Sequence, residues 1–204
     1  TADGRQGAMA TNVGIYVYDD AEVLDFAGPF EVFSTAARLA PAAGLSVFLI
    51  GESGRPVVAR NGFRVLPHHA ITDHPGIDVL VVPGGVHGGE LGKPAVIDWI
   101  AHQAVTADWV TSVCTGAFLL ARAGLLDGRR VTTHWEDIPD LRHDCPSLDV
   151  MEDTRWVEDG NRITSAGIAA GIDMSLYLVS RITDPALALR TARQMEYPWS
   201  DAPT

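Results

Sequence analysis

Four short runs along the chain are apolar at odd and even positions alike: "NVGIYVY" (12–18), "LSVFLI" (45–50), "DVLVVPGG" (78–85) and "DWVTSVC" (108–114). A strand with one wet face alternates apolar and polar residues, whereas unbroken β-branched runs suit strands covered on both faces, as in a parallel sheet. Between these runs lie stretches with helical spacing. "GPFEVFSTAARLA" (28–40) has Pro29 near its expected start, and "KPAVIDWIAHQAV" (93–105) has Pro94 in the same place, where a missing N–H costs nothing. The βαβα alternation predicts right-handed crossovers and an open, mostly parallel α/β sheet between helices. Ligands of such sheets bind beyond the carboxyl ends of the strands. Two segments break the alternation, 55–67 and 153–167. Each centres on a turn pair, Asn61-Gly62 or Asp159-Gly160, and is read as a β-hairpin added to the sheet. The tail is read as two helices, 168–182 and 184–197, the second with Asp184 as cap and Pro185 at its first position.

Composition narrows the picture without changing it. The 204 residues, 47% of them hydrophobic, suffice for one sizeable core. Residues 11–204 are expected to form a single domain, and residues 1–10, opening with the patternless "TADGRQGA", a frayed or appended terminus. The net charge of −11, with no basic stripe, argues against nucleic acid or an anionic membrane as partner. No apolar run approaches the roughly 20 residues that cross a bilayer, and no secretory signal opens the chain, so a cytoplasmic protein is expected. Two cysteines, Cys114 and Cys145, make a disulfide framework improbable and a reducing compartment the better expectation.

The chemistry concentrates at one edge. "WVTSVCTGAFLL" has the order strand, cysteine, small residues, helix, so Cys114 stands at a strand-to-helix elbow, with Gly116 leaving room for the bend. The adjoining helix amino terminus would favour a thiolate; the alternative is a cysteine that only packs. Gly84 and Gly85 end the preceding strand and can aim an N–H at a ligand, which with the N–H of Thr115 makes a candidate oxyanion hole. The Thr115 hydroxyl is a further candidate for orienting substrate or water. After the first strand come four carboxylates, Asp19, Asp20, Glu22 and Asp25. Only Asp25 is bracketed by apolar residues, where burial would raise its pKa, although a helix cap explains it equally well. His134, closing the short predicted strand "RVTTHW" (130–135), is a secondary candidate as partner of the cysteine. His68, His69 and His74 lack a zinc-like spacing, and no metal site is expected. Cys145, in a loop beside a proline, is read as structural.

The ordered set "LDFAGPFEVF", "DVLVVPGG", "VTSVCTGAFLLARAGLLDGRRVTTHW" and "GIAAGID" resembles the ThiJ/PfpI superfamily of class I glutamine amidotransferase-like proteins, from about residue 12 to residue 197. The resemblance implies a flavodoxin-like fold, Cys114 as nucleophile, a small-molecule substrate, no cofactor and a homodimer. It adds Ile168 to Gly84, Gly85, Thr115 and Gly116 as oxyanion or substrate-binding positions. Many members carry glutamate after the first strand. Aspartate there, as Asp25, is similar to the isonitrile hydratase branch, which adds water to an isonitrile to give an N-substituted formamide, with Asp25 as general acid or base. The same motifs occur in the sensory domains of AraC-type regulators, where a helix-turn-helix domain follows; this sequence ends at Thr204 without one. Glyoxalase-like or deglycase-like action on methylglyoxal and a redox or ligand sensor are the alternatives. A peptide cleft, and with it protease activity, has no support in the sequence.

Overall fold

The computed structural model describes residues 10–204, so the expectation for residues 1–9 lies outside it. The chain runs through β1 (Thr11–Val17), α1 (Val23–Leu39), β2 (Leu45–Gly51), β3 (Val57–Val58), β4 (Arg64–Val65), β5 (His69–Ala70) and β6 (Val79–Val82). It continues with α2 (Gly88–Leu91), α3 (Pro94–Thr106), β7 (Trp109–Val113), α4 (Gly116–Arg122), β8 (Arg130–Val131), α5 (Ile138–Asp144) and β9 (Asp149–Val150). It closes with β10 (Trp156–Asp159), β11 (Arg162–Ser165), α6 (Ala170–Ile182) and α7 (Pro185–Gln194).

Seven strands form the central sheet in the order β10-β11-β7-β6-β1-β2-β5. All neighbours are parallel except β10, which folds back antiparallel on β11. The unbroken apolar runs have the cause inferred for them: Val13, Ile15, Tyr16 and Val17 of β1 are all fully buried, and so are Val79 to Val82 of β6. Helices α1, α6 and α7 pack on one another as one layer, and α2, α3 and α4 as another, so both faces of the sheet are covered. Asp184 caps α7 as expected, accepting from Leu187 N at 2.8 Å. Both turn pairs form hairpins, with Asn61, Gly62 and Gly160 at positive φ, but only β10–β11 is added to the central sheet as expected; β3–β4 stands apart as its own two-stranded sheet.

Two local readings fail. Helix α1 begins at Val23 rather than at Gly28, with Pro29 inside it. A proline withholds a single hydrogen bond, here the one to the Asp25 carbonyl, and burial of Phe26, Val32 and Phe33 on the same helix outweighs that loss. The earlier start places Asp25 in the first turn of α1. The second concerns "RVTTHW", of which only Arg130–Val131 is strand, paired with β9 outside the main sheet. Beyond it, Thr132 N donates to Thr164 Oγ1 at 2.8 Å and Thr133 Oγ1 to the Cys114 carbonyl at 2.8 Å. Side-chain hydroxyls, not a ladder, therefore bring this segment against the elbow. Among the described residues no helix is long and apolar enough to cross a membrane.

Candidate active site

Cys114 follows β7 directly and opens the two-residue turn into α4, at φ +56°. A left-handed backbone costs a non-glycine residue roughly 1–2 kcal/mol, and the surroundings hold it there. Cys114 N is shared between the Ser165 and Ala166 carbonyls at 3.2 and 3.3 Å, and the Thr133 hydroxyl holds the Cys114 carbonyl. Gly116 makes the bend possible, because a Cβ there would stand 2.1 Å from the Val82 carbonyl oxygen. Ile168, a β-branched residue at φ +53° before α6, is a second strained position beside the first. Such strain gathers where a fold fixes its functional groups.

Asp25 is wholly buried and lies inside the first turn of α1, whose N-cap position is Glu22, so it is not the helix cap that the sequence left open. Its Oδ2 accepts from Gly84 N at 3.0 Å, while Oδ1 closes no hydrogen bond of ordinary geometry. Burial raises its pKa from 3.8 to about 7; the Gly84 N–H, the Cys114 thiol and the Ile168 N–H, all close to the carboxyl, oppose the rise. Cys114, 6% exposed, has its thiol pushed up by burial and then by the Asp25 charge, against the pull of the Thr115 N–H. The helix terminus therefore does not generate a resting thiolate. Desolvation exceeds what a short helix can return, and the sulfur rests protonated beside a carboxyl that is half-ionised near neutrality.

Gly84, Gly85, Thr115, Gly116 and Ile168 all come to this edge, in a different arrangement from that expected. Gly84 N is committed to Asp25. Gly85 N donates to Thr115 Oγ1 at 3.0 Å, and that hydroxyl donates to the Gly85 carbonyl at 3.1 Å. Both glycine donors thus have partners, and the Thr115 hydroxyl staples the elbow to the glycine loop. The approach is close: a Cβ on Gly84 would lie 2.5 Å from Thr115 N, and one on Gly85, at φ +131°, 2.4 Å from the Asp20 carbonyl oxygen.

A cavity of about 400 Å³ opens over the sulfur, lined by Cys114, Thr115, Gly85, Ile168 and His134 together with Glu22, Arg60, Val86, His87, Glu136 and Asp137. His134 is thus at the site, its ring against Gly167, where a Cβ would meet His134 Cδ2 at 2.1 Å. Its Nδ1 accepts from Glu136 N at 3.3 Å and lies 3.3 Å from Asp137 Oδ2. His87 and Arg60 were not singled out by sequence reasoning. His87 sits among glycines in "GGVHGG" with no periodicity to mark it, and Arg60 arrives from the β3–β4 ribbon, 3.8 Å from Glu22. Two of the other histidines have structural partners: His68 Nδ1 accepts from Leu49 N and His74 Nε2 from Trp99 Nε1. Cys145 is half-buried at the end of α5. Among the described residues no three metal-ligating side chains cluster.

A flavodoxin-like α/β sheet with a cysteine at the strand-to-helix elbow and a buried carboxyl beside it defines a class of single-cysteine sites at the carboxyl edge of a parallel sheet. The chain belongs to the DJ-1/PfpI family, whose model matches residues 11–181. It is 37% identical over 190 residues to isonitrile hydratase from Pseudomonas putida, covering 93% of this chain and 79% of that protein. It is 36% identical over 146 residues to the HTH-type transcriptional regulator CdhR from Pseudomonas aeruginosa, covering 72% of this chain and 43% of the regulator. Among solved structures, a ThiJ/PfpI family protein from Pseudomonas syringae superposes with a TM-score of 0.83 at 28% identity, covering 97% of this chain and 79% of that one. Drosophila melanogaster DJ-1beta shares the fold, with a TM-score of 0.78 at 22% identity, covering 93% of this chain and 99% of that one.

Proposed function

We propose that the protein hydrates isonitriles, R–N≡C, to N-substituted formamides at Cys114. The observation that carries this reading is Asp25, wholly buried and titrating near 7 beside the sulfur, since an isonitrile carbon must receive both a nucleophile and a proton. A carboxyl poised near the working pH can do both halves of such a transfer. Asp25 takes the thiol proton as the sulfur forms its bond to the terminal carbon, then returns that proton to the same carbon, giving the thioimidate Cys114–S–CH=N–R. Water adds to the C=N bond, placing a hydroxyl on carbon and a hydrogen on nitrogen. The C–S bond then breaks, the formamide leaves and the thiol regains its proton. The Thr115 N–H, directed at the sulfur, stabilises the negative charge there as the bond forms and breaks.

The similarity to an isonitrile hydratase across most of both chains supports the reading. Cys114→Ala is expected to abolish formamide production from p-nitrophenyl isocyanide, and Asp25→Asn to lower it by at least a hundredfold. Full activity of either variant would overturn the mechanism. A sensory role is the second reading, favoured by the similarity to HTH-type regulators. It predicts ligand binding at the cavity with neither formamide from the isocyanide nor lactate from methylglyoxal.

A further inference from the structure

The thioimidate step leaves one demand unmet. Water must lose a proton as it attacks, and the group that takes it must meet solvent. Asp25 is poorly placed for this: it is wholly buried, and Oδ2 is held by the Gly84 N–H. His87 is half-exposed and lines the same cavity as Cys114 and Thr115. Its ring stacks on Phe118 with centroids 4.6 Å apart and planes at 29°. Phe118 lies one turn of α4 beyond the elbow, its N–H bonded to the Thr115 carbonyl at 3.1 Å, so the imidazole is fixed relative to the sulfur. Its Nδ1 lies 3.4 Å from the Gly85 carbonyl oxygen. A carbonyl can only accept, so the proton of neutral His87 belongs on Nδ1, and Nε2 keeps a free lone pair. His134 has the opposite arrangement. Its Nδ1 accepts from the Glu136 N–H, with the Asp137 carboxylate also 3.3 Å away; where Nδ1 accepts, Nε2 is the nitrogen that carries the proton.

We propose that His87 is the general base that activates water against the Cys114 thioimidate, with His134 offering a hydrogen-bond donor from the same cavity. The inference rests on the hydratase reading and assigns a step within it. His87 Nε2 takes one water proton as the hydroxyl bonds to the thioimidate carbon and the C=N pair moves to nitrogen, which is protonated from His134 Nε2–H or solvent. On collapse of Cys114–S–CH(OH)–NH–R, the C–S electrons return to sulfur. The hydroxyl proton returns to the sulfur through a cavity water as the C–S bond breaks, restoring the thiol, and the His87 proton leaves to solvent or to His134.

Two variants separate this role from packing. His87→Ala removes the ring, and His87→Phe keeps an aromatic ring on Phe118 without a base. With p-nitrophenyl isocyanide, both should form the Cys114 adduct at near the parent rate but release formamide roughly 10²–10⁴-fold more slowly. Intact-mass measurement should then show one isocyanide per chain accumulating on Cys114. Added imidazole should restore release in His87→Ala, and alkylation of Cys114 by iodoacetamide should match the parent, marking an undisturbed elbow. Turnover of either variant within about twofold of the parent, or equal slowing of adduct formation and release, would overturn the assignment while leaving the hydratase reading standing. A parent protein that gives neither adduct nor formamide would overturn both.

Discussion

Asp25 releases its proton at about 7 in the folded chain, against 3.8 for an ordinary aspartate. Between those values the folded state holds a proton that the unfolded state has given up. Stability from this group is therefore fully present below about pH 4, declines as pH rises toward 7 and stays reduced above it, by an amount on the order of 4 kcal/mol. Asp25→Asn, which cannot ionise, should be more stable than the parent by a few kcal/mol at pH 8, with the gap closing toward pH 4. Urea unfolding at the two pH values measures this, and equal stability at pH 8 would contradict it. The cysteine was legible because an elbow needs small residues after a strand, and Asp25 because apolar residues bracket it. Less was legible where partners come from distant loops. Commitment of the Gly84 and Gly85 N–H groups to Asp25 and Thr115 depends on contacts across 59 and 30 residues, and His87 acquires meaning only through Phe118 and Gly85.

At the level of elements, the site is a meeting of β6, β7 and the start of α4, and its tolerance is set by backbone rather than by side chains. Gly116→Ala would drive a Cβ into the Val82 carbonyl at 2.1 Å, and neither strand nor helix start can yield without moving Cys114. A loss of roughly 3 kcal/mol is expected, seen as a fall in Tm. Gly89→Ala, with nothing within 4 Å of its Cβ position, should unfold at close to the parent temperature. The buried strands and most helices followed from periodicity, because burial on both faces leaves an unbroken apolar run. The start of α1 did not, because Pro29 imitates a first helical position. The segment Thr132–His134 read as strand through its threonines, yet their hydroxyls serve Thr164 and Cys114 through individual bonds.

Across the whole molecule, the net charge of −11 and the Glu22, Glu136 and Asp137 carboxylates lining the cavity set a negative potential at its mouth, opposed there by Arg60. On the hydratase reading, an isonitrile bearing a carboxylate should show a several-fold higher KM at low ionic strength than its neutral amide. Added salt should narrow the difference as screening shortens the reach of the field. A KM ratio that ignores salt would show that the field does not reach the substrate. The pairing of a protonated sulfur with a half-ionised acid has its own effect at this scale. Alkylating agents and peroxides select thiolates, and a sulfur whose proton is held until a fitting molecule arrives reacts with them slowly. On the hydratase reading, the protein would thus carry a nucleophile through a chemically crowded cell without its being consumed there, answering to the shape of a guest rather than to whatever electrophile diffuses past.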